Sequence, residues 1–303
     1  MKRTPTRSAD RRHLEAFLAV IDRGSFAAAG RELGISQSAI SQSLRQLEAI
    51  VGSELFVRTA RPFNLTAAGR AAEPHARRSL QDLDAFMTAA SPDTGLAVGR
   101  LTICTIPTQS AHPVAGLVGA FRAAHPRVRV DIIQPPSRSI ADVPAAVRGG
   151  LADVGITEFP TAQHGLRSVE FESEEFVAVL PPHADHREDT IDAETFASYG
   201  IVIGPYFETS VAYALLKKQH PNIDSAIKIR TDHRESFQHL VAEGLGATLM
   251  SREGSATARR LGCRTLGFRP PLKRRTGLVY PSAYLTPPAA AFVEVCRSGD
   301  RRL

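Results

Sequence analysis

Residues 25–50 place the strongest constraint on the fold, because they predict two helices joined by a tight turn. Ser25 and Ser36 are good N-cap residues, and Gly34 can adopt the left-handed conformation that ends the first helix. The apolar residues recur at helical spacing within each helix: Phe26, Ala29 and Leu33 in the first, then Ile40, Leu44, Leu47 and Val51 in the second. The pattern predicts a helix-turn-helix.

The opposite side of the second helix is polar and cationic. Ser38, Ser41, Gln42 and Arg45 lie on it, and Gln37 lies at its start. Such side chains can hydrogen-bond base edges in a major groove. Two ordinary amphipathic helices with a solvated polar face would show the same periodicity, so the flanking sequence has to decide between the two interpretations.

The flanking sequence continues the pattern over residues 14–69. Its motifs are Gly24-Ser25-Phe26, Ser36-Gln37-Ser38, Leu47-Glu48, Leu55-Phe56-x-Arg58, Arg61 and Leu65-Thr66-x-x-Gly69. This ordered set resembles the winged helix-turn-helix of LysR-type transcriptional regulators. The resemblance implies double-stranded DNA as a partner. The predicted DNA-binding residues are Ser25, Ser36, Gln37, Ser38, Ser41, Gln42, Arg45, Arg58 and Arg61.

Arg58 and Arg61 belong to a predicted strand and turn that would form the wing. On an ordinary hairpin they would be solvated charges, but beside a recognition helix they are placed for phosphate or minor-groove contact. Charge supports this interpretation. The whole chain of 303 residues has a net charge of +6, and residues 1–66 hold ten Lys and Arg against six Asp and Glu. Most of the excess positive charge therefore lies in the first domain.

A long helix is predicted over residues 67–90, with Thr66 as its cap and a kink at Pro74. Its residues Ala76, Leu80, Leu83 and Met87 form a heptad seam. In the resembled family this linker helix pairs two subunits, which implies a homodimer or homotetramer. The alternative is a helix that packs only on its own domain. Residues 91–95 contain Pro and Gly and predict a hinge.

Beyond Gly99, apolar strand patterns alternate with amphipathic helices, which predicts an α/β fold with parallel sheets. Predicted strands cover residues 101–106, 128–133, 153–157, 175–180, 201–203, 227–230, 247–250 and 273–280. Predicted helices cover residues 110–124, 140–149, 209–219, 234–243 and 288–297.

This half resembles the two-lobed regulatory domain of the same family, which is like a periplasmic binding protein. The motifs are Gly99-x-Leu101, Phe121 with Pro126-x-Val128, residues 150–156 and Val241-x-x-Gly244-Leu245-Gly246-Ala247. We therefore expect a DNA-binding domain at 1–66, a linker helix and hinge at 67–94, and an effector-binding domain at 95–303. Lobe one would comprise residues 95–160 and 268–303, and lobe two residues 161–267.

Ligand sites in open parallel sheets lie at the carboxyl ends of strands. The residues that follow the predicted strands are candidates for binding a small-molecule effector: Thr108, Gln109, Ser110, Ser137, Arg138, Thr157, Pro205, Tyr206, His233 and Arg234. Pro107 and Gly204 flank them. Free N–H groups at helix N-termini together with Arg138 or Arg234 favour an anion such as a small carboxylate.

Other functions have weaker support in the sequence. His183-x-x-His186 has the composition of a metal site, but it follows two prolines in a predicted loop and lacks converging spacing. Cys104, Cys263 and Cys296 have apolar neighbours, which does not favour a redox-sensing regulator. No export signal, membrane span or catalytic constellation supports a solute-binding protein or an enzyme. The sequence therefore predicts a cytoplasmic, ligand-responsive transcriptional regulator without a cofactor, metal or catalytic site.

Overall fold

The computed structural model describes residues 8–57, 64–89, 99–161, 164–204, 207–233 and 235–299. Contacts divide the chain into two compact units, one of residues 1–99 with 148–152 and one of residues 100–147 with 153–303. Within the described ranges, no helix is both long enough and apolar enough to cross a membrane.

Three helices form the core of the first unit: α1 Arg11–Arg23, α2 Phe26–Leu33 and α3 Gln37–Val51. The side chains of Asp10, Ser25 and Ser36 each accept a hydrogen bond from a backbone N–H in the first turn of the helix that follows. Each helix ends at a glycine in the left-handed conformation, Gly24, Gly34 or Gly52. The capping residues predicted for α2 and α3 are confirmed.

The predicted buried stripe of α3 is confirmed for three of its four residues. Ile40, Leu44 and Leu47 are buried and pack with Phe17 of α1. Val51 is instead 49% exposed. It is the last residue of α3, and the chain turns away at Gly52 before Val51 can reach the core.

A short antiparallel hairpin follows, formed by β1 Phe56–Val57 and β2 Asn64–Leu65. This hairpin and its connection are called the wing below. The strand predicted over residues 54–58 begins only at Phe56. Arg58 and most of the predicted turn, including Arg61, lie outside the described residues.

The helix α4 Ala67–Ala89 starts where predicted, because the Thr66 hydroxyl accepts a hydrogen bond of 3.0 Å from the Gly69 N–H. It continues through Pro74 without interruption. Its predicted seam has two parts. Ala76 and Leu80 pack on the core of the first unit, as the alternative interpretation requires, whereas Leu83 and Met87 are 36% and 61% exposed. The predicted hinge at 91–95 is not among the described residues.

The α/β part contains eleven strands within the described residues. In chain order they are β3 Gly99–Cys104, β4 Val128–Ile133, β5 Val154–Phe159, β6 Leu166–Glu170, β7 Glu174–Leu180, β8 Thr190–Ile191, β9 Ile201–Ile203, β10 Ile227–Arg230, β11 Thr248–Ser251, β12 Arg264–Phe268 and β13 Lys273–Pro281. Its α-helices are α5 Pro107–Gln109, α6 Ala115–Ala124, α7 Val143–Arg148, α8 Ala193–Ser198, α9 Val211–Gln219, α10 Ser236–Ala242, α11 Ala256–Arg260 and α12 Pro287–Gly299.

The longest strand, β13, connects two lobes. The sheet order is β4-β3-β5-β13-β7-β12-β8, with β6 also paired to β13 and β11 to β7. β13 runs antiparallel to β5 and β6, and its first residues Lys273 and Arg274 pair with β7. The sheet is therefore mixed. The predicted parallel pairing holds for β3 with β5 and for the separate pair β9 with β10.

Each lobe has its own apolar core. The core of lobe one is built around β3, β5 and β13 and includes Ile103, Phe121, Ile156, Leu278 and Phe292. The larger core of lobe two includes Leu180, Phe196, Ile203, Leu216 and Phe268. Val169 of β6 packs against the core of lobe one. The two-lobed fold predicted from the alternating pattern is confirmed.

One predicted helix is broken. The sequence predicted a single helix over 110–124, but His112 has an extended backbone, with φ −153° and ψ 127°, and regular α-helix resumes only at Ala115. A residue that precedes proline is sterically disfavoured in the α conformation, and Pro113 follows His112. The helical turn that holds Thr108, α5, is consequently only three residues long.

Candidate functional site

The polar face of α3 is exposed as predicted. Gln37, Ser38, Gln42 and Arg45 are exposed, and Ser41 is half-buried. The Arg45 guanidinium folds back along the helix, with its Nε 3.3 Å from the Ser41 carbonyl oxygen and an Nη 3.4 Å from the Ser41 hydroxyl. These contacts are long, so Arg45 can leave them for a stronger acceptor.

Two of the predicted DNA-binding residues have a structural role. The Ser25 hydroxyl accepts a hydrogen bond from the Ala28 N–H, and the Ser36 hydroxyl accepts one from the Ala39 N–H. The Ser36 and Ser38 hydroxyl oxygens lie 2.8 Å apart. A hydroxyl that accepts at a cap still has its own proton to donate to a phosphate.

Close backbone contacts hold α3 in place, and not all of them were predicted from the sequence. A Cβ atom on Gly30 would lie 2.7 Å from the Ile35 carbonyl oxygen, so only glycine allows α2 to approach this turn. A Cβ atom on Gly69 would lie 2.2 Å from the Leu55 carbonyl oxygen, where α4 crosses the start of the wing. The close packing of α4 on the wing therefore explains why the motif Leu65-Thr66-x-x-Gly69 ends in glycine.

The second unit contains a cavity of about 250 Å³ between its two lobes. Its wall is largely apolar and includes Ile106, Phe176, Val202, Phe207, Phe237 and Met250. Polar side chains reach it from both lobes, among them Thr108, Arg138, Glu158, Asp232, Ser251 and Arg274. A mostly apolar cavity with a few polar groups is typical of a small-molecule site.

Among the predicted effector-binding residues, Thr108 and Arg138 line the cavity. Gln109 and Thr157 are buried beside it; the Thr157 hydroxyl donates to the Ile140 carbonyl at 3.2 Å. Ser110, Ser137 and His233 are not part of the wall. Pro205, Tyr206 and Arg234 lie outside the described residues.

Ser137 and His233, which do not line the cavity, make other contacts. The Ser137 hydroxyl accepts a hydrogen bond from the Ser139 N–H, which stabilises its own turn. The His233 ring lies 3.6 Å from the Glu235 carboxylate, and both side chains are largely exposed. Thr108 does not lie at the N-terminus of a long helix as predicted, because α5 has only three residues and too few peptide units to build a macrodipole.

Two polar groups beside the cavity lack partners. The Thr108 hydroxyl and the Gln109 side-chain amide nitrogen are both buried, and neither has a hydrogen-bond partner among the described residues. Arg138 is exposed and has a left-handed backbone with φ 57°. Buried polar groups are nearly always satisfied, so the unpartnered Thr108 hydroxyl indicates a place for a ligand or water.

A buried charged network beside the cavity was not predicted from the sequence. The Arg274 guanidinium bonds to Glu174 at 2.5 Å and to Glu158 at 3.0 Å, and it lies 5.0 Å from the centre of the Phe176 ring. His112 Nδ1 lies 3.1 Å from Glu174 Oε1. Glu158 and Arg274 are adjacent in space only because β5 pairs with β13, and residues 116 positions apart in sequence give no local signal.

Burial and these bonds set the protonation of the network. Burial alone would raise the pKa of Glu174, but hydrogen bonds from His112 and Arg274 hold that pKa below its usual range. The hydrogen bond to Glu174 raises the pKa of His112 in turn. Glu174 is therefore a carboxylate at neutral pH.

All three cysteines are buried, free thiols. Burial raises the pKa of Cys104 to about 12 and that of Cys296 to about 12, and it raises the pKa of Cys263 as well. The thiolate is the reactive form of cysteine. The surroundings of these thiols therefore oppose the redox-sensing alternative.

The His183-x-x-His186 segment forms a loop. His183 is exposed, and the His186 ring lies 2.8 Å from the Thr190 carbonyl oxygen. That contact uses the Nε2 atom of His186 inside its own loop.

Known proteins share both parts of this chain. Residues 11–70 match the bacterial regulatory helix-turn-helix protein, lysR family, and residues 94–301 match the LysR substrate binding domain. The chain is 30% identical over 284 residues to the HTH-type transcriptional regulator IlvR of Caulobacter vibrioides, covering 89% of this chain and 92% of the relative. It is 32% identical over 169 residues to a "Probable hydrogen peroxide-inducible genes activator" of Mycobacterium xenopi, covering 56% of this chain and 88% of that protein.

Solved structures agree on the fold. Full-length OxyR from Pseudomonas aeruginosa has a TM-score of 0.70 at 16% identity, covering 97% of this chain and 95% of that one. Full-length CbnR in complex with its target DNA has a TM-score of 0.65 at 23% identity, covering 95% of this chain and 99% of that one. With matches over both the helix-turn-helix and the α/β part, the chain belongs to the LysR family of DNA-binding transcriptional regulators.

Proposed function

We propose that this regulator reads DNA with the exposed face of α3 and responds to a small carboxylate bound in the cavity between its lobes. The proposed base-reading residues are Gln37, Ser38, Ser41, Gln42 and Arg45, with Ser25 and Ser36 donating to phosphates from the helix N-termini. Arg58 and Arg61 of the wing contact phosphate or the minor groove. The observation that carries the DNA assignment is the exposure of this face while Ile40, Leu44 and Leu47 hold its other side in the core.

The proposed effector has a carboxylate and a compact apolar body. The Arg274 charge is matched by Glu174 and Glu158, whereas the Arg138 guanidinium has no ion pair among the described residues. Arg138 and the unpartnered Thr108 hydroxyl both belong to lobe one, and most of the apolar wall faces them from lobe two. Asp232 brings a negative charge to the same cavity, so the carboxylate is placed against Thr108 and Arg138 rather than against lobe two.

Two further proposals concern organisation. We propose the domain boundaries 1–66, 67–94 and 95–303, with lobe one at 95–160 and 268–303 and lobe two at 161–267.

We also propose that α4 pairs two subunits into a homodimer, alone or within a homotetramer, because Leu83, Phe86 and Met87 are exposed apolar residues on it. Effector binding would shift how the lobes sit and so change the spacing of the paired recognition helices.

Calorimetry with the full chain tests the effector proposal. The probes are benzoate and its neutral isostere benzamide, with acetate as a ligand too small to fill the cavity. We expect benzoate to bind best and Arg138→Gln to weaken it by about 10- to 100-fold, the effect of one charge-assisted hydrogen bond. Arg127→Gln, an exposed arginine outside the wall, is the control. The proposal would be contradicted if the chain preferred benzamide, or if Arg138→Gln and Arg127→Gln bound benzoate with equal affinity.

A gel-mobility assay on the DNA upstream of its own gene tests the α3 assignment. Replacing Gln37, Ser38, Ser41 and Arg45 together with Ala should abolish sequence preference, since each good base contact contributes about 1–3 kcal/mol of discrimination. The exposed Lys218→Ala in α9 is the control. A folded quadruple variant with unchanged affinity and specificity would show that α3 does not read bases.

A further inference from the structure

Three metal-ligating side chains meet beside the cavity, outside the effector site proposed above. One donor atom from each of His112, Glu174 and Glu253 lies within 4.8 Å of the other two. His112 lies just before α6 in lobe one, Glu174 begins β7, and Glu253 follows β11 in lobe two. The cluster therefore joins segments from both lobes.

One pair in this cluster already has the spacing of two ligands on one ion. His112 Nδ1 and Glu174 Oε1 are 3.1 Å apart. Nitrogen and oxygen ligands lie about 2.0–2.2 Å from Zn²⁺, so two of them at angles of about 90–109° are separated by about 2.8–3.6 Å. Glu253 is exposed, and its side chain can move to complete the set.

The surroundings provide the support that metal ligands usually have. Glu174 is only 8% exposed, and Arg274 Nε bonds to its second oxygen, Oε2, at 2.5 Å. That bond fixes the carboxylate and leaves Oε1 directed at His112. A ligating carboxylate held by an outer hydrogen bond is the common arrangement in metal sites.

The charge of the network also suits a divalent cation. Glu158, Glu174 and Glu253 supply three negative charges against the single positive charge of Arg274, and Glu253 has no ion pair with Lys or Arg among the described residues. With neutral His112 the group has a net charge of −2. One divalent ion would neutralise it.

We propose that His112, Glu174 and Glu253 form a binding site for a divalent transition-metal ion of the Zn²⁺ class. Imidazole with carboxylates is a ligand set for such ions, whereas Mg²⁺ and Ca²⁺ prefer oxygen alone. The ion bridges the two lobes at the side of the cavity, next to Arg274 in the cavity wall. The proposal does not depend on which effector the cavity binds.

The test uses the full chain, freed of metal with a chelator and titrated with ZnCl₂ by calorimetry and with CoCl₂ by visible absorbance. We expect one ion per chain and a cobalt spectrum in the visible. His112→Gln and Glu253→Gln should each weaken binding at least tenfold. His183→Gln is the matched control, because His183 is an exposed histidine in the His183-x-x-His186 loop.

The variants separate this site from its alternatives. Binding that is unchanged in His112→Gln and Glu253→Gln, or that is lost in His183→Gln, would overturn the proposal. Absence of binding to the unaltered chain would do the same and would leave His112 and Glu174 as a simple hydrogen-bonded pair. Glu253→Gln changes an exposed side chain, so it carries the test even if His112→Gln fails to fold, which circular dichroism would reveal.

Discussion

The carboxylate of Glu48, near the end of α3, accepts a hydrogen bond of 2.8 Å from the backbone N–H of Leu55 at the entry to the wing. Leu55 is only 2% exposed, so water cannot readily replace this acceptor. Its carbonyl oxygen in turn accepts a hydrogen bond from the Thr66 N–H. One carboxylate thus ties the recognition helix to the wing and to the start of α4.

Glu48→Ala should therefore destabilise the first unit. The buried Leu55 N–H would lose its partner, at a cost of about 1–3 kcal/mol in the free energy of unfolding. Glu48→Gln keeps an oxygen acceptor and should lose less than half of that. Urea unfolding of the full chain, followed at the first transition, measures both. Equal stability of Glu48→Ala and the unaltered chain would show that the bond contributes nothing.

The wing arginines were predicted from sequence to bind phosphates, and they lie outside the described residues. Arg58→Ala and Arg61→Ala should each lower the salt slope of DNA binding by about 0.9, the contribution of one neutralised phosphate. Affinity should fall alike for the operator and for unrelated DNA. Fluorescence anisotropy at several salt concentrations measures the slope.

Arg45→Ala provides the contrast for the wing variants. A base contact made by Arg45 predicts a loss of preference for the operator over unrelated DNA, not a uniform loss. If the slopes of Arg58→Ala and Arg61→Ala match that of the unaltered chain, neither arginine contacts a phosphate.

The cysteines give a prediction that bears on the peroxide-responsive relatives. With a pKa of about 12, Cys104 and Cys296 would be roughly one part in 10⁴ thiolate at pH 8, against about a quarter for a free cysteine of pKa 8.5. Ellman's reagent should label the native chain at least 100-fold more slowly than the chain in guanidinium. Dilute hydrogen peroxide should leave the thiols reduced. Fast oxidation of either cysteine in the native chain would favour redox sensing instead.

The local sequence was sufficient to predict the helix-turn-helix. It predicted fewer of the residues that line the effector site. Caps such as Ser36, and apolar spacing such as that of Ile40 and Leu44, act within a few residues, so they are visible in the sequence. The predicted burial of Val51 was wrong, because burial at a helix end depends on the path of the chain that follows the helix. Thr108 and Arg138 were found because both follow strands that end at the cavity.

What the sequence could not show depends on strand pairing. Arg274 meets Glu158 and Glu174 only because β13 lies between β5 and β7. Nothing near residue 274 indicates either partner. The short elements β8, α8, α11 and β12 were also missed, since runs of two to six residues have too little periodicity to distinguish them from loops. Their positions are set by packing on lobe two.

The exposed apolar residues of α4 give the last prediction. Leu83, Phe86 and Met87 are 36%, 64% and 61% exposed on a helix whose earlier turns pack on the three-helix core. Burying one such side chain contributes about 1.5–3 kcal/mol, and a two-fold interface buries it twice. Phe86→Glu should thus weaken a homodimer by about 10²- to 10⁴-fold in Kd. Lys218→Glu, a charge change at an exposed residue of α9, should leave the Kd nearly unchanged. Sedimentation equilibrium of the full chain measures both, and a Phe86→Glu chain that remains as strongly associated as Lys218→Glu would mean that subunits pair through another surface.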